Sequence, residues 1–195
     1  KTSLIRSIAG FHNITSGSIY IDERIVDDSK KREDVSKRNV GVIFQDLALF
    51  PHLTVRENIC FGLNTLSKKQ QFDRAEKLEQ ILNIVDIKHR YPDQISGGQQ
   101  QRVAIARAIA PGPKLLLLDE PFSALDYELK EGLMKDIKKL IKSEKITAIL
   151  ITHSAEEAFK MADKIAFISE NTIMQYADPY DLYHKPISKE IANFF

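Results

Sequence analysis

Apolar residues along this chain follow two rhythms. Val40–Gly41–Val42–Ile43–Phe44, Leu115–Leu116–Leu117–Leu118 and Thr147–Ala148–Ile149–Leu150–Ile151–Thr152 are short, nearly unbroken apolar runs. Such runs predict strands buried on both faces of a parallel sheet. Elsewhere the spacing is helical. Leu4, Ile5 and Ile8 suit a helix ending at Gly10. Thr54–Val55–Arg56–Glu57 is a capping-box pattern opening a helix to about Gly62, and Phe72, Ala75, Leu78, Leu82 and Val85 predict an amphipathic helix over about 68–85. Pro92 breaks the chain before Ser96, which caps a helix from Gln99 to Ile109. Leu129, Leu133, Ile137, Leu140 and Ile141 mark a further helix. Ser154–Ala155–Glu156–Glu157 is a second capping box, leading into Ala158, Phe159 and Ala162. Ser18–Asp22 alternates as a short exposed strand, and Ile165–Ile168 and Thr172–Gln175 read as a closing pair. Strands alternating with helices predict an α/β sheet with crossover helices. Residues from about 46 to 110 read as a mainly helical insertion between β-rich flanks.

Composition narrows the class. At 195 residues the chain can bury one core, with room for a small subdomain. Lys and Arg number 28 against 27 Asp and Glu, so no global field draws the protein to nucleic acid or an acidic membrane. The run Lys30–Lys31–Arg32 is interrupted by Glu33 and Asp34 and reads as a solvated turn. Cys60 is the only cysteine, which excludes an internal disulfide and fits a reducing compartment. No segment approaches the run of about 20 apolar residues that crosses a bilayer, and no secretory signal is visible. A soluble, cytosolic protein is expected.

The candidate chemistry sits at strand ends. Asp119 and Glu120 follow the leucine run directly, and ligands of open α/β sheets bind beyond the carboxyl ends of strands. Asp119 at a buried strand end needs compensation, either as a helix cap or by holding a hard cation such as magnesium. Glu120 points to the other side of the strand and suits a general base toward an attacking water. Gln45 follows the Val40–Phe44 strand, where a glutamine either orients water or metal or simply faces solvent. His153 follows the Thr147–Thr152 strand, where it either satisfies local backbone or touches a terminal phosphate. Ser96 is an N-cap in any reading. The adjacent Gly97 and Gly98 weaken a helix start, yet they suit an anion cradle of free amides. Lys1–Thr2 is either an accidental pair or the end of the phosphate-loop pattern G-x-x-x-x-G-K-[ST]. On that reading the glycine-rich loop and the strand feeding it precede residue 1.

Taken in order, these motifs resemble the ATPase subunits of ATP-binding-cassette (ABC) transporters. Lys1–Thr2–Ser3 is similar to the end of Walker A, Gln45 to the Q-loop and Ile95–Ser96–Gly97–Gly98–Gln99–Gln100–Gln101–Arg102 to the signature motif. Leu115–Glu120 resembles Walker B, Ser123–Ala124–Leu125–Asp126 the D-loop and His153 the switch histidine. The resemblance spans essentially all of residues 1–195. It implies a P-loop NTPase (RecA-like) parallel-sheet core with an inserted helical subdomain at about 46–110, cut at its N-terminus inside Walker A.

The resemblance also implies roles. The ligands are ATP and Mg2+. Lys1 binds the β- and γ-phosphates, Ser3 the α-phosphate, and Thr2, Gln45 and Asp119 serve the metal. Glu120 is the base, His153 holds the γ-phosphate, and Gln45 senses metal, water and the membrane partner. Ser96, Gly97, Gly98 and Gln99, with Asp126 of the D-loop, face nucleotide across a head-to-tail pair of ATPase chains. Partners are the second ATPase subunit, transmembrane permease subunits and, indirectly, an extracytoplasmic solute-binding protein, with no nucleic acid. The chain would sit peripherally on the cytoplasmic face of the inner membrane. Phe44–Gln45–Asp46–Leu47–Ala48–Leu49–Phe50–Pro51–His52–Leu53–Thr54–Val55 is similar to binding-protein-dependent importers of iron(III), sulfate, polyamines or maltose, with iron(III) the leading expectation. Asp178–Pro179–Tyr180 to Phe195 resembles the segment preceding a β-rich regulatory domain. The chain departs from the family pattern in three ways: the phosphate-cradling glycines and the upstream aromatic that stacks on adenine are missing from it, Ser154–Ala155 stands where an acidic-polar pair is common, and Ile95 stands where leucine is. The competing readings are a non-transport ABC ATPase and a non-catalytic nucleotide-binding regulatory module. The first is opposed by the short Gln45–Ser96 insertion without cysteine pairs, the second by the presence of both Glu120 and His153.

Overall fold

The leucine run lies at the centre of a three-stranded parallel sheet in a computed structural model that describes residues 1–123 and 125–195. In chain order the elements are α1 (Thr2–Ala9), β1 (Ile19–Ile21), β2 (Arg24–Asp27), β3 (Val40–Ile43), α2 (Val55–Cys60), α3 (Lys68–Ile81) and α4 (Gly97–Ile109). Then follow β4 (Leu115–Asp119), α5 (Tyr127–Glu144), β5 (Thr147–Ile151), α6 (Ala155–Met161), β6 (Ile165–Ser169), β7 (Thr172–Ala177), α7 (Pro179–His184) and α8 (Lys189–Phe194). The parallel order is β3-β4-β5, with Ile43 opposite Leu118 and Leu118 opposite Leu150. Two antiparallel pairs, β1-β2 and β6-β7, complete the strands among the described residues.

Every residue of β4 is buried because both faces of the sheet are covered. Side chains alternate across a strand. Leu116 and Leu118 enter a cluster with Ile43 of β3 and with Val55, Ile59, Leu78, Val103 and Ile137 from the helices. Leu115 and Leu117 join Ile5 and Ala9 of α1 with Ile21 and Val26 of the first hairpin. Helices α2, α3 and α4, which lie between β3 and β4 in sequence, therefore share one continuous apolar cluster with the sheet. A third, smaller cluster gathers Ala158, Ile165, Leu182 and Ile191.

Three expectations need correction. Only Ile151 of β5 is buried, while Thr147 and Ala148 are exposed, because β5 is the sheet's edge strand among the described residues. Helix α3 stops at Ile81, since Asn83 adopts a left-handed φ of 54°. Val85 therefore lies beyond the helix and outside the core, while Phe72, half exposed within α3, packs under the Arg56 guanidinium, 5.8 Å from its ring centroid. Finally, α4 begins at Gly97, two positions before the expected Gln99.

The first hairpin is fastened to α1 by a fully buried arginine. Arg38 donates from Nη1 to the Ser7 and Ile8 carbonyls at 3.0 and 2.9 Å, from Nη2 to Val26 O at 3.1 Å and from Nε to Glu33 O at 3.1 Å. Asp27, also buried, supplies the counter-charge at 3.6 Å. Gly10 follows α1 at φ 92°, and a Cβ there would fall 2.8 Å from Arg38 Nε. Glycine is thus required both by conformation and by space.

Candidate active site

Because the parallel strands run in register, their carboxyl ends coincide, and the candidate residues emerge together. Helix α1 approaches this edge with its N-terminus, where the first amides of a helix lack intrahelical partners. Thr2 Oγ1 donates to Asp119 Oδ1 at 3.3 Å, joining the head of α1 to the end of β4. Asp119 is 5% exposed. A buried carboxylate and an adjacent hydroxyl are hard oxygen donors. Among the described residues no group of three His, Cys, Asp or Glu could cage a metal. That donor set fits magnesium, which takes one or two protein ligands and completes its shell with water and phosphate. Lys1 and Ser3 are exposed beside this point, with Lys1 at the N-cap position of α1.

Glu120 turns the chain sharply. Its φ of 50° is unusual for a residue with a side chain and stores strain of about 1 kcal/mol or more. Ladder bonding holds it there: its amide donates to Ile151 O at 3.0 Å, and its carbonyl accepts from Ser123 Oγ at 3.0 Å. The turn sends the carboxylate toward β5, where His153 Nε2 stands 2.9 Å from Glu120 Oε1. Glu120, Ser123, Thr152, His153, Ser154 and Glu157 line an open cavity of about 250 Å³.

Other expected residues stand apart. Gln45 is exposed in the turn after β3 and makes no side-chain hydrogen bond to Thr2, Asp119, Glu120 or His153. Ser96 and Gln99 form a reciprocal capping box, with Gln99 N to Ser96 Oγ at 3.3 Å and Ser96 N to Gln99 Oε1 at 3.0 Å. Their α4 N-terminus meets the start of α5, since a Cβ on Gly98 would lie 3.6 Å from both Leu125 and Leu129. It makes no bond to Asp119 or Glu120. A Cβ on Gly97 would meet nothing within 4 Å. Among the described residues nothing demands glycine at either position. Asp126 is the N-cap of α5, accepting from Leu129 N at 3.0 Å. Ala124, in the segment read as a D-loop, lies outside the described residues.

Sequence reasoning missed one support and overstated one cap. Arg107 of α4 donates to Leu47 O at 2.9 Å and Ala48 O at 2.6 Å, holding the segment after Gln45 where both residues have positive φ. Burial lowers the pKa of its guanidinium from the usual value, with Asp46 opposing the shift. An arginine in the final turn of α4 carried no signal of this distant role. The second capping box is only half formed: Ser154 Oγ accepts from Glu157 N at 3.3 Å, but the Glu157 carboxylate turns away from Ser154.

The family described as ABC transporter matches residues 1–123. The chain belongs to the ABC transporter family. A Bacillus cereus relative named spermidine/putrescine import ATP-binding protein PotA is 42% identical over the whole of this chain and 59% of its own. A Roseobacter denitrificans protein of the same name is 43% identical over 53% of its length. A Haemophilus influenzae relative named Fe(3+) ions import ATP-binding protein FbpC is 41% identical over 56% of its length. The chain thus spans little more than half the length of these curated relatives. Among solved structures, the dimeric ATP-binding cassette MJ0796 in a post-hydrolysis state bound to ADP and Pi matches with a TM-score of 0.79 at 29% identity, over 91% of this chain and 80% of that one. The ABC fold assigned here is accordingly the P-loop NTPase cassette, with α1, β4 and β5 presenting Thr2, Asp119, Glu120 and His153 at one edge.

Proposed function

We propose that this chain is the ATP-binding and ATP-hydrolysing subunit of an ABC importer. The observation that carries the proposal is the convergence of Thr2, Asp119, Glu120 and His153 at one sheet edge, from elements distant in sequence. Lys1 and the first amides of α1 attract the phosphates, and Ser3 lies beside them. Thr2 Oγ1 and Asp119 hold magnesium, which when bound neutralises charge on the phosphate oxygens. Glu120 orients and deprotonates the attacking water. His153, released from Glu120, contacts the terminal phosphate. Phosphoryl transfer relies chiefly on such positioning and charge stabilisation. The contact between Glu120 and His153 speaks against a non-catalytic regulatory module.

Ser96, Gly97, Gly98 and Gln99 complete the site of a second ATPase chain in a head-to-tail pair, with Asp126 near the seam. Their lack of bonds to the first site, and the absence of an internal need for two glycines, support this reading. Residues 46–110 form the helical unit toward transmembrane permease subunits, with Gln45 at its hinge, and a solute-binding protein acts on the far side. The chain would then lie peripherally on the inner face of the membrane. No helix among the described residues is long and apolar enough to cross a membrane. Relatives named for polyamine and for iron(III) import stand at 42% and 41% identity. The proposal therefore extends to import of a small cationic solute, with iron(III) and polyamine both inside that class.

Magnesium-dependent ATP hydrolysis tests this. The rate is expected to rise more than linearly with protein concentration and to vanish in Glu120→Gln while ATP-induced dimers persist. Unchanged hydrolysis in Glu120→Gln removes that residue from the mechanism. No hydrolysis by the whole protein with its membrane partners overturns the proposal.

A further inference from the structure

The carboxylate that leaves the second capping box has a different task. Glu157, in the first turn of α6, is 5% exposed. It accepts a hydrogen bond from Thr152 Oγ1 and pairs with Lys130 Nζ at 3.1 Å. Thr152 Oγ1 in turn accepts from Ser154 N at 2.9 Å. The hydroxyl and its two partners therefore bracket His153 on both sides. Lys130 lies in the first turn of α5, its amide bonded to Asp126 O at 3.0 Å. A continuous chain of polar contacts runs from the start of α5 through Lys130, Glu157 and Thr152 to the loop carrying His153.

We propose that Glu157 is a positioning residue that fixes His153 against Glu120 and ties the switch loop to the start of α5. The proposal rests on the ATPase reading above. Burial makes the strut stiff: the Lys130 and Glu157 side chains are 17% and 6% exposed, where a charge pair is weakly screened and a lost partner is poorly replaced by water. The second bridge between the two helices, Lys160 with Glu131 and Glu156, is far more exposed and touches neither Thr152 nor His153. Any displacement of the start of α5, such as docking of a second chain against it, would reach His153 through this strut. The strut acts through His153, and its effect appears as misplacement of that residue.

Steady-state kinetics of the whole protein and amide exchange at Ser154 test the strut together. Glu157→Gln, Thr152→Val and Lys130→Met are expected to lower kcat by about 10- to 100-fold, the range for a misplaced catalytic group. KM for ATP should stay near wild type, while the melting temperature falls, most in Lys130→Met, which leaves the buried Glu157 without its partner. Lys130→Arg, which keeps the pair, and Glu156→Gln, outside the strut, should match wild type. Ser154 amide exchange should accelerate in Thr152→Val and Glu157→Gln without nucleotide present. Wild-type kcat in folded Glu157→Gln and Thr152→Val overturns the proposal. If wild type itself hydrolyses no ATP, the ATPase reading falls separately. Ser154 exchange then decides the strut: acceleration supports it, and unchanged exchange overturns it.

Discussion

Thr2 Oγ1 meets Asp119 Oδ1 at 3.3 Å across 117 positions of chain, so the head of one helix and the end of the central strand form one oxygen-lined corner. Asp119→Asn keeps an acceptor for the Thr2 hydroxyl and should leave the fold intact. It removes the charge that magnesium needs. The magnesium concentration giving half-maximal hydrolysis should rise about 10- to 100-fold, by analogy with weakened metal sites, in a titration at fixed ATP. An unchanged midpoint would exclude Asp119 as a metal-supporting residue.

Gly97→Ala separates internal from external demands. A Cβ there meets no atom within 4 Å, and alanine at a helix start should stabilise the chain by about 0.5–1 kcal/mol. If a nucleotide held by another chain must approach these amides, hydrolysis should nevertheless collapse. Chemical denaturation and ATPase rate, measured on the same variant, should move in opposite directions.

Arg38 holds four carbonyls and one carboxylate at a point where α1, the first hairpin and the turn before β3 meet. Arg38→Met should destabilise the protein by about 3–5 kcal/mol, the range for breaking a buried pair. Adding Asp27→Asn should not restore stability, because the carbonyls remain without donors. Urea unfolding of the single and double variants checks this.

Glu144 near the end of α5 pins three helices. Arg74 of α3 reaches it at 2.9 Å and also donates to the Ile109 and Ala110 carbonyls at the end of α4. The Arg74 hydrogen bond, aided by Lys77 and opposed by burial, lowers the Glu144 carboxyl from 4.5 to about 2. A depressed folded-state value contributes stability above the unfolded value and loses it as pH falls. The stability difference between wild type and Glu144→Gln should be full above about pH 5, roughly 2–3 kcal/mol at most. It should shrink progressively toward pH 2. Denaturation midpoints measured across that range check the sign.

Local pattern carried much of this molecule. The leucine run followed by two carboxylates announced β4 and its ligand edge, because an unbroken apolar strand must be covered on both faces. The Thr54 box and the Ser96 cap announced helix starts, because the groups a cap satisfies lie within three residues of it. Gly10 marked the end of α1 for an equally local reason. Motif order carried the family. The same local logic misjudged Phe72, Val85 and β5, whose periodicity suited burial but whose surroundings supplied no cover.

Tertiary structure alone decided where the long polar side chains went. Glu157 has a capping-box address in sequence, yet its carboxylate turns to Thr152 and to Lys130 on another helix. Arg38, Arg74 and Arg107 carry no mark in the sequence pattern, yet each reaches carbonyls distant in the chain. Sequence periodicity records which face of an element is apolar, a property of the element itself. A buried charge takes whichever unpaired donors or acceptors the packing brings within reach, and only the assembled fold specifies those.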